Sequence, residues 1–207
     1  MLVVHHLNDS RSQRVLWLLE ELALPYGIKS YQRNAETRLA PPELEAVHPL
    51  GKSPVLTDGK KTIIESAAII DYIIRRHGGG RLQPDTASAD YDEYQQWLHY
   101  AEGSAMLPLM LKLYTSRLGE AAAPLEPRIS SEINNHLGFL NQALTGKDWF
   151  VGNTFSGADV QMSFVGEVAR IYGVLGKLPA LSDWVERFQA RPAYKKALEK
   201  GGEYRFA

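Results

Sequence analysis

Residues 1–33, MLVVHHLNDSRSQRVLWLLEELALPYGIKSYQR, decide the fold of the first half of the chain. Met1–Leu7 is short and rich in Leu and Val, which is typical of a buried strand, and Asn8-Asp9-Ser10 then favours a helix start. A helical stripe of Leu and Val follows and ends near Leu24-Pro25. Because Tyr26–Arg33 has the composition of a second strand, this order predicts a parallel strand pair joined by a right-handed crossover.

The residues that follow complete a small α/β unit. A short helix is predicted over Glu43–Val47. Asp58-Gly59 lies between the β-prone runs Val55–Thr57 and Thr62–Ile64, and this dipeptide is typical of a hairpin turn. A helix with isoleucines on one face then starts at Glu65-Ser66 and ends at a run of three glycines. The predicted order of elements is βαβαββα.

Beyond the glycine run the sequence shows helical periodicity and no strand-like alternation. We therefore predict an α/β domain over residues 1–80, a linker over 81–87 and an all-helical domain over 88–207. The predicted helices of this last domain are Ser88–Leu118, Leu125–Thr145, Gly157–Gly173, Leu178–Arg191 and Ala193–Lys200.

The charge balance argues against two classes of partner. The 207 residues include 23 Lys and Arg against 24 Asp and Glu, whereas nucleic acid and anionic membrane surfaces both require a basic face. The start of the chain shows no signal peptide, and the longest apolar run falls far short of the roughly 20 residues that span a bilayer. We expect a cytoplasmic protein without a nucleic-acid or membrane partner.

The absence of cysteine restricts the chemistry further. With none in 207 residues, the chain has no disulfide framework, zinc-thiolate site, iron–sulfur cluster or cysteine nucleophile, so any thiol must arrive with a ligand. His5 and His6 point to opposite faces of the first strand and are not predicted to bind one metal ion. The remaining histidines show no metal-ligand spacing either.

Four motifs occur in a fixed order along the chain. They are Ser10-Arg11-Ser12-Gln13-Arg14-Val15, residues 48–56 (HPLGKSPVL), Ile64-Glu65-Ser66 and Phe155-Ser156-Gly157-Ala158-Asp159. In this order and spacing they resemble the cytosolic glutathione S-transferase superfamily, in a serine-type, bacterial or fungal-like form. The resemblance covers essentially the whole chain.

The resemblance implies a fold, an activity and partners. It implies a thioredoxin-like N-terminal domain that binds glutathione, a helical-bundle C-terminal domain that completes a pocket for a hydrophobic electrophile, and a homodimer. Conjugation of the glutathione thiolate to that electrophile would serve detoxification, with glutathione as cosubstrate and no cofactor. Two alternatives remain open: a binding or interaction protein that turns nothing over, and another glutathione-dependent reaction such as isomerisation, dehalogenation or peroxide reduction.

Ser10 is the candidate catalytic residue. A hydroxyl where a strand meets a helix can donate to a sulfur anion, and the N-terminus of the helix favours negative charge there. The spacing from Ser10 to Arg14 matches that of serine-type members of the family. Two alternatives remain open: Ser10 is only a helix N-cap, or Asn8, Arg11 or Ser12 assists it or replaces it in catalysis.

The resemblance also assigns residues to glutathione binding. Pro54 resembles the family's cis-proline, which would let the backbone of Ser53 pair with the cysteinyl part of glutathione like an added strand. Glu65 and Ser66 would hold the γ-glutamyl end of glutathione. The same two residues are also typical of an ordinary capped helix start. Lys52 either reaches the glycyl carboxylate or is simply solvated.

The helical half contributes two further predictions. Ser156 and Asp159 form a variant capping box, which we assign to folding rather than chemistry. Met106, Met110 and Tyr114 recur at helical spacing and form either a flexible acceptor pocket or an ordinary stretch of core.

Overall fold

A four-stranded sheet organises the first part of the protein, whose computed structural model describes all residues 1–207. The strands are β1 (Leu2–Leu7), β2 (Tyr26–Tyr31), β3 (Val55–Asp58) and β4 (Lys61–Ile64), in the spatial order β2-β1-β3-β4. β1 and β2 are parallel, as a helical crossover requires, whereas β3 is antiparallel to both β1 and β4. The predicted parallel pair and the predicted hairpin are both confirmed.

Two helices belong to this sheet, α1 (Ser12–Glu21) and α2 (Ser66–Arg76). The helix predicted over Glu43–Val47 is a single 3₁₀ turn, Pro42–Leu44. Pro49 disfavours helical backbone at His48, so a helix here cannot extend beyond Val47, and a segment this short is too short to sustain an α-helix by itself.

The strand register brings three chain segments to one edge of the sheet. Val55 pairs with His5 on one side and with Ile64 on the other. The end of β1, the start of β3 and the end of β4 therefore lie side by side. The motifs that begin at Ser10, surround Ser53-Pro54 and follow Ile64 all continue from this edge.

The remaining helices follow in sequence. They are α3 (Ala89–Tyr100), α4 (Met106–Thr115), α5 (Glu126–Leu144), α6 (Gly157–Ile171), α7 (Pro179–Ala190) and α8 (Pro192–Gly201). None of the helices combines the length and apolar character needed to cross a bilayer. The order of an α/β part followed by helices agrees with the predicted fold class.

The long helix predicted over Ser88–Leu118 is interrupted. A π-helical turn, Ala101–Ala105, separates α3 from α4. Pro108 accounts for the break, because it has no backbone N–H to donate to the carbonyl of Ser104, and its ring crowds that carbonyl.

Contacts divide the chain into two compact units. One unit joins Met1–Gln83 to Phe188–Ala207, and the other is Pro84–Arg187. The predicted helical domain, 88–207, thus differs from the contact-based unit in its last twenty residues. The physical reason lies at Trp17 of α1, whose ring stacks on Phe188 and meets Tyr194 edge-on, both at 5.4 Å between centroids.

Candidate active site

The loop after β1 carries Asn8, Asp9 and Ser10 and is held by the end of β2. The backbone N–H of Asn8 donates to the Tyr31 carbonyl at 3.2 Å, and the N–H of Arg33 donates to Asn8 Oδ1 at 2.8 Å. Asp9 adopts φ +50°, a left-handed conformation that aspartate tolerates better than most residues. The start of the Ser10 motif is therefore fixed by its neighbours.

Arginines surround the carboxylate of Asp9. Arg205 donates to it from the backbone N–H at 3.0 Å and from Nε at 2.7 Å, and Arg38 donates at 3.0 Å. Arg33 adds a bond to the Asp9 carbonyl at 3.1 Å. Burial by itself would raise the pKa of Asp9, but the bonds from Arg205 and Arg38 outweigh it and lower that pKa. Asp9 thus ties the loop to the chain's last residues.

Ser10 lies buried between α1 and the segment that precedes β3. Its hydroxyl oxygen accepts from the Ser12 backbone N–H at 3.2 Å and lies 2.8 Å from Ser12 Oγ. Ser53 Oγ is 3.5 Å away. The structure therefore brings together Ser10 and Ser53, which are both predicted to contact the same ligand, and it places the Ser10 hydroxyl at the first turn of α1.

The peptide bond between Ser53 and Pro54 is cis, as predicted. The Ser53 hydroxyl donates to the His5 carbonyl at 2.9 Å and accepts from the Leu7 N–H at 3.3 Å. This side chain is thus used to attach the loop to β1. Lys52 is exposed beside it and adds a cation to the same edge of the sheet.

Glu65 and Ser66 lie at this edge too, directly after the residue of β4 that pairs with the first residue of β3. Glu65 has φ +66°, which is unusual for a residue with a side chain, and backbone strain of this kind clusters at ligand sites. Ser66 is buried and is the first residue of α2. The helices α1 and α2 therefore both begin at the edge that carries Ser53, and two helix N-termini at one edge suit an anionic ligand.

The three residues predicted for the acceptor differ in accessibility. Met106 is 2% exposed, Met110 is partly buried and Tyr114 is 60% exposed. A groove of about 720 Å³ lies elsewhere in the Pro84–Arg187 unit and includes none of them. It is lined by Asp92, Gln95, Gln96, Trp97, His99, Tyr100, Gly103, Ser104 and Phe139. The acceptor role of the three residues stays a prediction.

His6 has contacts that the sequence did not reveal. Its ring is buried, with Nδ1 at 2.8 Å from Ser12 Oγ and Nε2 at 3.1 Å from the carbonyl oxygen of Gly201. His5 contacts Tyr31 and Thr57 instead. Strand alternation separates the two histidines, but no local pattern could have indicated a partner 195 residues away. No three His, Asp or Glu side chains are arranged to hold a metal ion.

Comparison with known proteins identifies the family. Residues 1–75 match the glutathione S-transferase N-terminal domain, and residues 104–192 match the glutathione S-transferase C-terminal domain. The chain is 34% identical over 215 residues to glutathione S-transferase 3 of Schizosaccharomyces pombe, and the aligned region covers 97% of this chain and 88% of that protein. It is 33% identical to glutathione S-transferase 1 of Saccharomyces cerevisiae, over 95% of this chain and 94% of the relative.

A solved structure agrees with these relatives. The glutathione S-transferase of Actinobacillus pleuropneumoniae superposes with a TM-score of 0.90 at 33% identity, covering 100% of this chain and 95% of that one. The predicted fold, a thioredoxin-like domain followed by a helical one, is confirmed, and so is the predicted family. The sheet edge, the cis-proline and the matches along both halves lead to one conclusion: the chain belongs to the glutathione S-transferase family.

Proposed function

We propose that the protein binds glutathione at the sheet edge and transfers its thiolate to a hydrophobic electrophile. The observation that carries this proposal is the position of Ser10, whose hydroxyl lies at the first turn of α1 and 3.5 Å from Ser53 Oγ, beside the cis-proline. Glutathione is then a cosubstrate, and the reaction needs no cofactor from the protein.

Each end of the tripeptide has a proposed partner along this edge. The backbone of Ser53 would pair with the cysteinyl residue, because a strand-like ligand can extend an exposed sheet edge. The α-carboxylate of the γ-glutamyl end would bind Ser66 at the N-terminus of α2, with Glu65 accepting from the ammonium group. Lys52 would bind the glycyl carboxylate.

The role of Ser10 is to favour the ionised thiol. A free thiol has a pKa of about 8.5 and is only slightly ionised at neutral pH. Lowering this value by about two units makes the thiolate dominant and requires about 2.7 kcal/mol of differential stabilisation. A hydroxyl donor and the N-terminal end of a helix together are sufficient for a stabilisation of that size.

The acceptor is proposed to be an apolar electrophile. Met110 and Tyr114 are accessible and lie one turn apart on α4, and the buried Met106 precedes them by one turn. Methionine and tyrosine suit acceptors of variable shape, since the thioether is flexible and polarisable and the phenol is broad. We propose that the enzyme acts as a homodimer in detoxification, as the family resemblance implies.

Replacing Ser10 by alanine tests the proposal. We expect Ser10→Ala to raise the pKa of the bound thiol by between about one and two units and to lower turnover of a model aryl halide about 3- to 25-fold at pH 7, because the donor to the thiolate is lost while the helix N-terminus remains. Glutathione affinity, measured by calorimetry, should change little. Ser116→Ala, at an exposed serine of the helical unit, is the matched control and should behave as wild type.

Calorimetry with two ligands separates the alternatives. We expect both glutathione and S-hexylglutathione to bind, with the hexyl form tighter because its chain occupies an apolar acceptor site. No binding of either ligand would overturn the proposed function. Saturable glutathione binding without conjugation of any electrophile would instead identify a non-catalytic binding protein.

A further inference from the structure

A chain of hydrogen bonds leads from Ser10 into the interior of the first unit. Ser10 Oγ lies 2.8 Å from Ser12 Oγ, which lies 2.8 Å from Nδ1 of His6, and Nε2 of His6 lies 3.1 Å from the Gly201 carbonyl oxygen. Ser12 is fully buried, His6 is 2% exposed and Ser10 is 4% exposed. Only the Ser10 end of this series of hydrogen bonds reaches the sheet edge at which we place glutathione.

The proton positions along this chain follow from its inner end. A carbonyl oxygen can only accept, so Nε2 of His6 carries a proton and donates it to Gly201. In the neutral ring Nδ1 is then an acceptor, and the Ser12 hydroxyl donates to it. The Leu7 carbonyl also lies near Ser12 Oγ, but at the longer distance of 3.3 Å. Because the Ser12 proton is used toward His6, Ser10 is the donor between the two serines at 2.8 Å, and its other acceptor, Ser53 Oγ, lies at the longer distance of 3.5 Å. Without a ligand, the hydroxyl protons of Ser10 and Ser12 therefore both point inward, toward His6.

We propose that His6 accepts the thiol proton of glutathione through Ser10 and Ser12. This inference rests on the proposed function, since it requires the thiol of glutathione to lie against the Ser10 hydroxyl. It assigns a role to a buried base that the binding of glutathione does not otherwise use. His6 acts through two serines and is thus a positioning and proton-accepting residue that does not touch the substrate.

The transfer balances atom by atom. The thiol S–H bond breaks and its proton binds Ser10 Oγ, the proton of Ser10 moves to Ser12 Oγ, and the proton of Ser12 moves to Nδ1 of His6. No electrons leave or enter, and the products are a thiolate and an imidazolium. All bonds of the relay are now reversed, so that His6 donates to Ser12, Ser12 donates to Ser10, and Ser10 donates to the thiolate.

The second half of the reaction returns the relay to its starting state. The thiolate forms a carbon–sulfur bond with the electrophile, and an aryl halide loses its halide with the bonding electron pair. His6 then loses the extra proton back along the relay to water at the sheet edge. The reversal also explains how Ser10 can serve two acceptors, because it donates to Ser12 before thiol ionisation and to the thiolate afterwards.

The surroundings of His6 suit a base that is neutral before the ligand binds. Burial lowers the pKa of His6, and the bond to the Gly201 carbonyl opposes this shift only in part. A buried imidazolium is costly unless an opposite charge forms at the same time, and the thiolate provides it. Ionisation of the thiol and protonation of His6 are thereby coupled.

The charged residues of the elements packed around His6 are mostly engaged elsewhere. On α1, Glu20 binds Lys196 and Lys200 of α8, and Glu21 binds Arg191, the residue before α8. On β2, Lys29 acts on His5, whose pKa is lowered first by burial and second by the positive charge of Lys29. Arg11 and Arg14 are the charged residues nearest to Ser12 along the sequence.

His6→Gln separates proton acceptance from simple positioning. A glutamine amide can still donate to the Gly201 carbonyl and accept from Ser12, but it cannot take up a proton. We expect it to raise the pKa of the bound thiol by about one unit, from about 6.5 to about 7.5, which is about threefold less thiolate at pH 7. The ultraviolet absorbance of the thiolate in the glutathione complex and the pH profile of kcat/KM between about pH 6 and pH 9 measure this shift.

A matched variant and a second break in the relay complete the test. His5→Gln alters the neighbouring histidine, whose ring contacts Tyr31 and Thr57, and should leave the thiol pKa unchanged. Ser12→Ala should shift the thiol pKa as His6→Gln does, and the double variant should shift it no further, because either change breaks the same relay. Calorimetric titration with glutathione and thermal unfolding verify that each variant folds and binds.

The outcomes for this inference and for the proposed function are distinguishable. A wild-type thiol pKa in His6→Gln, in a variant that binds glutathione normally, would overturn the relay. It would leave the role of Ser10 intact if Ser10→Ala still loses turnover. Normal turnover in Ser10→Ala would overturn the proposed function and the relay together.

Discussion

Asp159 shows how much one buried carboxylate can organise. Its Oδ1 accepts from the backbone N–H of Phe150 at 3.2 Å and from the indole N–H of Trp184 at 3.0 Å. Its Oδ2 accepts from the backbone N–H of Ser156 at 3.0 Å and from the Ser156 hydroxyl at 3.3 Å. Burial raises the pKa of Asp159 to about 6, although all of these donors favour the ionised form. The predicted capping box is confirmed, and it extends to a tryptophan on α7.

Asp159→Asn is expected to destabilise the protein by about 2 kcal/mol. An asparagine side chain has only one acceptor oxygen. The two donors that now bind the other carboxylate oxygen would therefore face the N–H₂ group and lose their acceptor. Urea unfolding measures the change in the free energy of unfolding. Asp183→Asn, at an exposed aspartate of α7, is the control and should have an effect within about 0.5 kcal/mol of zero. An equally small effect at Asp159 would contradict this account of the cap.

At the scale of elements, α6 and α7 approach each other at a glycine. A Cβ added to Gly166 would lie 2.7 Å from Val185 Cγ2 and 2.8 Å from Trp184 Cζ3. Both partners are fully buried and have no free space into which to move. Gly166 therefore sets the spacing of the two helices.

Gly166→Ala is expected to destabilise the protein by about 1 to 3 kcal/mol, because overpacking outweighs the better helix propensity of alanine. Gly138 offers a matched control on α5, where an added Cβ would meet nothing within 4 Å. Gly138→Ala should instead stabilise the protein by up to about 1 kcal/mol. Thermal unfolding of both variants shows whether the signs are opposite, and a stabilising Gly166→Ala would refute the close approach.

Local patterns were sufficient to predict most of the elements. The strands and helix faces follow from periodicity, and the hairpin follows from Asp58-Gly59, since each signal lies within the element that it predicts. The interruption before Pro108 was missed because helical periodicity continues across it. The cis-proline was predicted through the family resemblance, whereas the contacts of His6 and Asp9 were not, because their partners lie near the other end of the chain.

At the scale of the whole molecule, the first unit is discontinuous in sequence. Glu20 on α1 binds Lys196 at 2.8 Å and also pairs with Lys200, and Arg191 pairs with Glu21 at 2.6 Å. Together with the aromatic contacts of Trp17, these ion pairs attach the end of α7 and α8 to α1. Residues on either side of the helical unit thus share one core.

The Glu20 cluster predicts an acid-sensitive stability. Burial by itself would raise the pKa of Glu20, but bonds from Lys196, Lys200 and Tyr26 lower it to about 2. Because this native pKa lies below that of the unfolded chain, the contribution is complete above about pH 4.5 and is lost as the pH falls toward 2. We expect the cluster to contribute about 2 kcal/mol at pH 7, allowing for the exposure of both lysines.

Glu20→Gln tests this dependence. The variant should lose that stability at pH 7 and should show a smaller fall between about pH 4.5 and pH 2, measured by urea unfolding at a series of pH values. Glu199→Gln, at an exposed glutamate of α8, is the control and should keep the wild-type pH dependence. An unchanged acid limb in Glu20→Gln would show that the cluster does not stabilise the fold.

The placement of α8 has a consequence for biosynthesis. A ribosome makes the chain from its N-terminus, and domains that are continuous in sequence can fold as they emerge. Here β1, α1 and the Ser10 loop emerge first, but Tyr194, Gly201 and Arg205, which contact them, are translated only after the entire helical unit. Trp17 therefore lacks its aromatic partners until the helical unit has been translated. The residues that complete the first unit are added only after all four strands of the sheet have been made.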